Sequence, residues 1–202
     1  MTNKCPAVGI YKSLEFCTGD TSLPGLRPEA FYIPKSLIVT FPTRISPKDE
    51  GATMESIGTL KGDFTLAADA YFRKIDILDT ASNLTAASQG DPPSRTFLNS
   101  TTLKYAGNDA KAAGFCQMAN TDDILYVVRQ RDGSYRVVGN EEFRSDTKPG
   151  QDSGMNVTDA SGTTLEVSVT DRGPAPFYVG KLKTEEGTID CATGKIELTE
   201  GA

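Results

Sequence analysis

The sequence predicts a mainly β fold of the α+β class, in which a β-sandwich or barrel-forming sheet carries one flanking α-helix. An extended N-terminal arm and a long polar loop complete this prediction. Short runs rich in Val, Ile, Thr and aromatic residues recur along the chain, and turn signals containing Gly, Pro or Asp separate them. The 202-residue chain is 38% hydrophobic and 24% charged, which provides enough apolar material for a buried core.

Seven segments have the composition expected of β-strands. In chain order they are residues 36–41, 56–64, 71–78, 95–105, 124–130, 134–138 and 163–170. In the last segment, alternation places Leu165, Val167 and Val169 on one face, with Glu166 and Ser168 on the other. This pattern predicts a sheet with one face on the core and one face in solvent.

One α-helix is predicted over about residues 108–120. Asn108 is the expected N-cap, and Asp109 suits the positive end of the helix dipole. Apolar residues recur at i, i+3, i+4 and i+7 and form one stripe: Ala112, Phe115, Cys116 and Ala119. We expect this stripe to pack against a sheet, which would explain Cys116 without a reactive role.

Composition also suggests the domain boundaries. Residues 1–35 are expected to be an extended arm that builds no core of its own, because several prolines interrupt them: Pro6, Pro24, Pro28 and Pro34. Residues 36–180 are expected to form the β-sandwich domain. Within it, residues 144–162 form a polar loop that is longer than compact domains usually contain without a functional reason.

The C-terminal residues 181–202 are expected to form a β-hairpin packed on the same domain. A turn at 193–194 would place Ile189 opposite Leu198 and make Cys191 a core residue.

Residues 124–143 read as a second hairpin, and its tip carries three arginines: Arg129, Arg131 and Arg136. A two-residue turn at 132–133 would set Arg129 opposite Arg136, which is unfavourable in an isolated hairpin. A three-residue loop at 131–133 with a bulge would instead set Arg129 opposite Tyr135. Both registers remain open at this point, and so does the choice between a solvated tip and a docking element.

Several classes of function are disfavoured by what the chain lacks. It contains no histidine, and its four cysteines are scattered without metal-ligand spacing: Cys5, Cys17, Cys116 and Cys191. We therefore predict no catalytic site, no metal site and no cofactor, and the chain is not expected to be an enzyme. An enzymatic alternative would use a carboxylate pair such as 141–142 or 185–186, but adjacent residues on a strand point to opposite sides.

The formal net charge of −6 argues against a general polyanion binder. The N-terminal residues lack the pattern of a signal peptide, and no apolar run approaches the ~20 residues that cross a bilayer. We therefore expect synthesis in the cytoplasm and no membrane segment.

Local phrases in the chain resemble the major tail tube proteins of long-tailed phages and related prophage proteins. They are SIGTLKGDFTLAAD (56–69), ILYVVRQRDGSYRVVGNEEF (124–143), SGMNVTDASGTTLEVSVTD (153–171) and PAPFY (174–178). The likeness covers roughly residues 36–180. It implies a β-sandwich with a flanking helix, whose copies form hexameric rings that stack into a hollow tube for DNA delivery.

The same resemblance implies a location in the virion tail after assembly in the host cytoplasm. The implied partners are further copies of the chain and other tail proteins, namely the tape measure, the terminator and the baseplate or tip. Genomic DNA would cross the lumen without specific binding. An arm or long loop would reach the neighbouring ring.

Charge suggests which residues would act in such a tube. The subunit-interface candidates are Arg129, Arg131 and Arg136 on one copy and acidic loop residues on another, namely Asp146, Asp152 and Asp159. Alternation along 163–170 and beyond makes Glu166 and Asp171 the candidates for the lumen wall, where acidic groups would repel DNA phosphates. The alternatives are another tail or neck component, such as a terminator or connector, and a β-sandwich binding or adhesin module.

Overall fold

The computed structural model describes residues 8–156 and 158–198. The chain is mainly β, as the sequence predicts. The strands are β1 (Leu26–Pro34), β2 (Ile38–Thr40), β3 (Thr43–Arg44), β4 (Thr59–Lys61), β5 (Thr65–Leu66), β6 (Arg73–Asp76), β7 (Asn83–Gln89), β8 (Thr96–Tyr105), β9 (Ile124–Gln130), β10 (Tyr135–Val138), β11 (Asp146–Asp152), β12 (Gly162–Asp171), β13 (Phe177–Tyr178), β14 (Lys181–Lys183), β15 (Gly187–Asp190) and β16 (Lys195–Leu198). The helices are α1 (Met54–Ile57), which is a single turn, and α2 (Ala110–Ala119).

These strands form three larger units. A seven-stranded sheet has the order β3-β4-β13-β10-β9-β1-β6, and a four-stranded sheet has the order β11-β12-β8-β7. The C-terminal strands form a three-stranded sheet in the order β14-β15-β16, and β2 pairs with β5. Within the described residues, neighbouring strands are antiparallel except β4 and β13, which run parallel.

Strand β9 lies at the centre of the molecule and is buried on both faces. Ile124, Tyr126 and Val128 contribute to one apolar core, and Leu125 and Val127 contribute to a second core on the other face. A strand covered on both faces carries a continuous apolar run rather than an alternating one. The sequence ILYVV therefore fits the middle layer of a three-layer arrangement.

The first core lies between the seven-stranded and four-stranded sheets. Leu165, Val167 and Val169 of β12 point into it, while Glu166 is exposed and Ser168 is partly exposed, so the predicted alternation is confirmed. The C-terminal sheet closes the second core with Leu182 of β14, Ile189 of β15 and the adjoining Cys191. Phe64 and Phe72, which come from connecting segments, complete it. The C-terminal strands are thus part of the same packed unit.

Helix α2 matches the predicted helix, but its N-cap differs. The Asp109 carboxylate accepts a hydrogen bond from the backbone N–H of Ala112 at 2.7 Å, so Asp109 rather than Asn108 is the cap. Of the predicted apolar stripe, Ala112 and Ala119 are buried, and Phe115 packs edge-on against Tyr32 of β1.

The prediction that residues 1–35 form an arm is wrong for residues 26–34, which are β1. This strand lies between β6 and β9, and its apolar residues are buried: Leu26, Ala30, Phe31 and Ile33. Its prolines are tolerated because Pro28 falls where the pairing register shifts and Pro34 is the last residue of the strand. Residues 11–25, which we call the exposed arm, are exposed and form no strand or helix, and a turn closed by a hydrogen bond from the Asp20 N–H to the Cys17 carbonyl interrupts them. Residues 1–7, including Cys5 and Pro6, lie outside the described residues.

The predicted polar loop at 144–162 is also largely wrong. Residues 146–152 form β11, which pairs with β12 through a continuous register from Asp146↔Ser168 to Asp152↔Gly162. Strand β11 is the outer strand of its sheet, which is a position where Pro149 is tolerated. The connection between the strands shortens to residues 153–161, of which Val157 lies outside the described residues.

The C-terminal hairpin has a different register from the predicted one. Ile189 lies opposite Ile196, and Asp190 lies opposite Lys195, so the turn contains residues 191–194. The Asp190 carboxylate accepts hydrogen bonds from the Ala192 N–H at 2.9 Å and from the Thr193 hydroxyl at 2.9 Å, which stabilises this longer turn. Cys191 is nevertheless buried. Residues 199–202 lie outside the described part of the chain.

Candidate functional site

The arginine-rich hairpin adopts the second of its two predicted registers. Arg129 lies opposite Tyr135, and residues 131–133 form a three-residue loop closed by backbone hydrogen bonds between Gln130 and Ser134 and between Gly133 and Gln130. Gly133 has a φ of 101°, which disfavours any residue with a side chain. Two hydrogen bonds from Ser134 to the Asp132 carboxylate hold the pKa of Asp132 below its usual range.

Arg129 is paired within its own chain. Its guanidinium contacts the Glu29 carboxylate of β1 at 2.7 Å and lies 5.0 Å from the centre of the Tyr135 ring. The Arg129 and Glu29 side chains are only 17% and 24% exposed. Burial raises the pKa of the Tyr135 phenol to about 12, and the nearby Arg129 opposes that rise. This cluster therefore joins β1, β9 and β10.

The other two arginines also have partners in the chain. Arg131 contacts the Asp79 carboxylate at 2.8 Å, and both side chains are partly exposed. Arg136 donates to the Ala175 carbonyl at 2.7 Å and lies 4.2 Å from the centre of the Phe177 ring. The tip therefore stabilises this fold, and its predicted role between copies stays a prediction.

The acidic interface candidates lie on a different sheet from the arginines. Asp146 begins β11, is exposed and lies 3.5 Å from Lys148. Asp152 accepts a hydrogen bond from the Gly154 N–H, and Asp159 accepts hydrogen bonds from the backbone N–H groups of residues 155 and 156. Asp152 and Asp159 thus shape the loop at 153–161, and Asp146 is available at the surface.

The two lumen candidates have opposite environments. Glu166 is exposed on β12, next to Lys148 of β11 in the pairing register. Asp171 is only 4% exposed, and its carboxylate contacts the Arg44 guanidinium at 2.5 Å. The prediction that Asp171 faces an open lumen is therefore wrong, because its charge is buried and paired. It links β12 of the four-stranded sheet to β3 of the seven-stranded sheet.

The exposed arm carries apolar residues that the sequence analysis did not single out. Tyr11 is 86% exposed, Leu14 is 90% exposed and Phe16 is 73% exposed. No described residue of the chain covers them. The signal was present in the run YKSLEF, where large apolar side chains recur in a segment with no predicted strand or helix to bury them.

A groove along α2 was not predicted either. It lies between α2 and the outer strand β6, and we call it the α2 groove. Its apolar lining includes Tyr32, Ile75, Phe115, Met118 and Leu165. Its volume is about 470 Å³, and a second cavity of about 300 Å³ adjoins it at Tyr32, Phe115 and Met118. Met118 is 62% exposed at the rim. The groove joins residues that are far apart in sequence, so no local pattern could reveal it.

No helix within the described residues is long and apolar enough to cross a membrane. No family model, no curated protein and no solved structure matches this chain.

Proposed function

We propose that this chain is a self-assembling structural subunit, namely a tail tube protein of a long-tailed phage. Its copies would form hexameric rings that stack into the hollow conduit for DNA delivery, with a place in the virion tail. The proposal gives the chain no catalytic role and no cofactor.

The exposed arm is the observation that carries this proposal. Three large apolar side chains within six residues, Tyr11, Leu14 and Phe16, are 73–90% exposed. Exposed large apolar side chains that cluster in this way are typical of a surface that another molecule covers. The arm leads directly into β1, which is held between β6 and β9 in the seven-stranded sheet. It is therefore an apolar segment held by a rigid base, which suits a subunit that joins copies together.

Two further features support assembly with identical copies. Strand β6 is the outer strand of the seven-stranded sheet, so its free edge would be covered by a strand or segment of a neighbour. Glu166 and the net charge of −6 agree with a wall along which DNA slides without adhering.

Negative-stain electron microscopy of the full-length protein over a range of concentrations tests the proposal. We expect rings and hollow rods. Single rings that never stack would favour a terminator or connector, and a monodisperse monomer at high concentration would contradict the proposal.

A double substitution tests whether assembly depends on the exposed arm. Replacing Leu14 and Phe16 by Asp should abolish assembly and leave the thermal unfolding of the monomer unchanged, because both side chains are exposed. The matched control is Val39→Asp, which alters a 66% exposed apolar residue outside the arm and should assemble normally.

A further inference from the structure

We propose that the exposed arm of one copy docks in the α2 groove of a neighbouring copy, with Tyr11, Leu14 and Phe16 on its apolar lining. This inference rests on the proposed function in one respect, which is that the chain associates with itself. Beyond the proposed function, this inference names the surface that receives the arm and states that the contact is head-to-tail.

The groove has the chemistry that the arm requires. Tyr32 and Phe115 pack edge-to-face with ring centres 4.8 Å apart, and Ile75 and Met118 extend the apolar surface on either side. Aromatic and apolar side chains of the arm would be removed from water by filling this groove. Met118 is exposed and unbranched, so it can adapt to an incoming ring.

The lengths of the two partners agree. The lining residues of the groove run from Asp109 to Met118, along the whole of α2. A ten-residue helix is about 15 Å long at about 1.5 Å per residue. The five steps from Tyr11 to Phe16 in extended conformation span about 16 Å at about 3.3 Å per residue. The apolar part of the arm therefore matches the length of the groove.

The charges also agree. The rim of the groove carries three basic residues, Arg73, Lys74 and Lys111, against the two acidic residues Asp76 and Asp109. The exposed arm carries the opposite excess, with Glu15 and Asp20 against Lys12. Lys12 and Glu15 balance within the apolar stretch 11–16, so the one net negative charge of the arm is that of Asp20, and it would meet the one net positive charge of the groove outside that stretch.

The apolar end of the arm and the groove lie towards opposite edges of the seven-stranded sheet. The backbone N–H of Lys12 donates to the Met54 sulfur at 3.1 Å, which places the arm beside α1, and α1 leads into β4 near the β3 edge. The groove lies at the β6 edge. An arm on one edge that binds a groove on the other edge of the next copy makes a head-to-tail contact. Repetition of such a contact yields a ring or a filament.

Disulfide crosslinking in the full-length protein tests the docking directly. The arm contains an exposed native thiol, Cys17, next to Phe16. We expect Met118→Cys to give covalent multimers on oxidation, through a bond between Cys17 of one copy and position 118 of the next. The variant that also carries Cys17→Ala should lose these multimers, and the control Val39→Cys should give no more of them than the wild-type protein, whose own Cys116 lies on α2.

A second variant measures the energetic contribution of the groove. Met118→Asp introduces a charge at an exposed position, so the monomer should stay folded, while the concentration needed for assembly should rise about tenfold or more. Val39→Asp should leave that concentration unchanged.

The outcomes separate this inference from the proposed function. Rods that form without crosslinks at position 118, and that also form with Met118→Asp, would overturn the docking but would still support the proposed tail tube function. Crosslinked pairs that never form rings or rods would support the docking and overturn the tube. A monomer that neither crosslinks nor assembles would overturn both.

Discussion

The Arg129–Glu29 pair offers the sharpest quantitative test of the fold. Replacing Arg129 by Met keeps most of the aliphatic volume but removes the 2.7 Å contact with Glu29 and the cation above the Tyr135 ring. It also leaves the Glu29 carboxylate without this partner, in a site where its side chain is only 24% exposed. We therefore expect Arg129→Met to destabilise the monomer.

The magnitude follows from the partial burial of the pair. Exposed ion pairs contribute about 0–1 kcal/mol, and breaking a fully buried pair costs about 3–5 kcal/mol. Since both side chains are mostly but not fully buried, we expect a loss of about 2–3 kcal/mol, part of which is the cation–π contact. For a chain of this size, that loss lowers the Tm by about 5–10 °C.

A double-mutant cycle with Glu29→Gln, measured by urea denaturation, isolates the pair itself. The coupling energy should be about 1–2 kcal/mol. The matched control is the cycle of Arg131→Met with Asp79→Asn, where side-chain exposures of 43% and 35% predict a coupling below about 1 kcal/mol. Equal couplings in the two cycles would refute the assignment of Arg129 to the structural interior.

Three further predictions test other parts of the structure. Asp109→Ala should cost about 1 kcal/mol of unfolding free energy in urea denaturation, because it removes the cap of α2, whereas Asn108→Ala should cost little. Burial raises the pKa of the Cys191 thiol to about 12, so at pH 8 roughly one molecule in 10⁴ carries the thiolate; a thiol-reactive dye should label Cys17 quickly and Cys191 only after unfolding. The depressed pKa of Asp132 means that its ionised form stabilises the fold above the unfolded-state pKa, and this contribution is lost as the pH falls through the lower folded-state pKa. Asp132→Asn should therefore reduce the acid dependence of stability below about pH 4, and an unchanged pH profile would contradict the Ser134 contacts.

The sequence predicts best the strands whose own side chains are apolar enough to indicate that the strand is buried. Strand β9 has the bounds predicted for residues 124–130, and β12 differs by one residue at each end. In both, apolar side chains are sufficient to indicate a strand. Strand β7, with the sequence NLTAASQ, was missed because it is mostly exposed at an edge and is held by its pairing with β8.

Proline and polar composition explain the two largest errors. Prolines suggested an arm where β1 lies, because proline cannot donate a backbone hydrogen bond, and polar composition suggested a loop where β11 lies. Both strands place their prolines where no such bond is needed, at a register shift, at a strand end or on an outer strand. Which position a proline occupies depends on strands distant in sequence, so local composition could not settle it.

The partners of the arginines were unpredictable for a similar reason. Arg129 and Glu29 are 100 residues apart in the chain, and Arg131 and Asp79 are 52 residues apart. A charge balance over the whole chain suggested partners on another copy, whereas the sheet order brings these carboxylates to the hairpin. The three-residue loop, in contrast, depends on adjacent residues and was one of the two registers anticipated.

The position of β1 between β6 and β9 has a consequence for synthesis of the chain. Leu26 pairs with Gln130, so β1 leaves the ribosome long before its second neighbour exists. At about 5–20 residues per second, the intervening residues take roughly 5–20 s to be made. During that time the apolar arm has no fixed base, and the α2 groove, which needs residues as late as Leu165, is incomplete. If the arm docks as proposed, nascent chains on one messenger would not join one another, and polymerisation would wait until each subunit has folded.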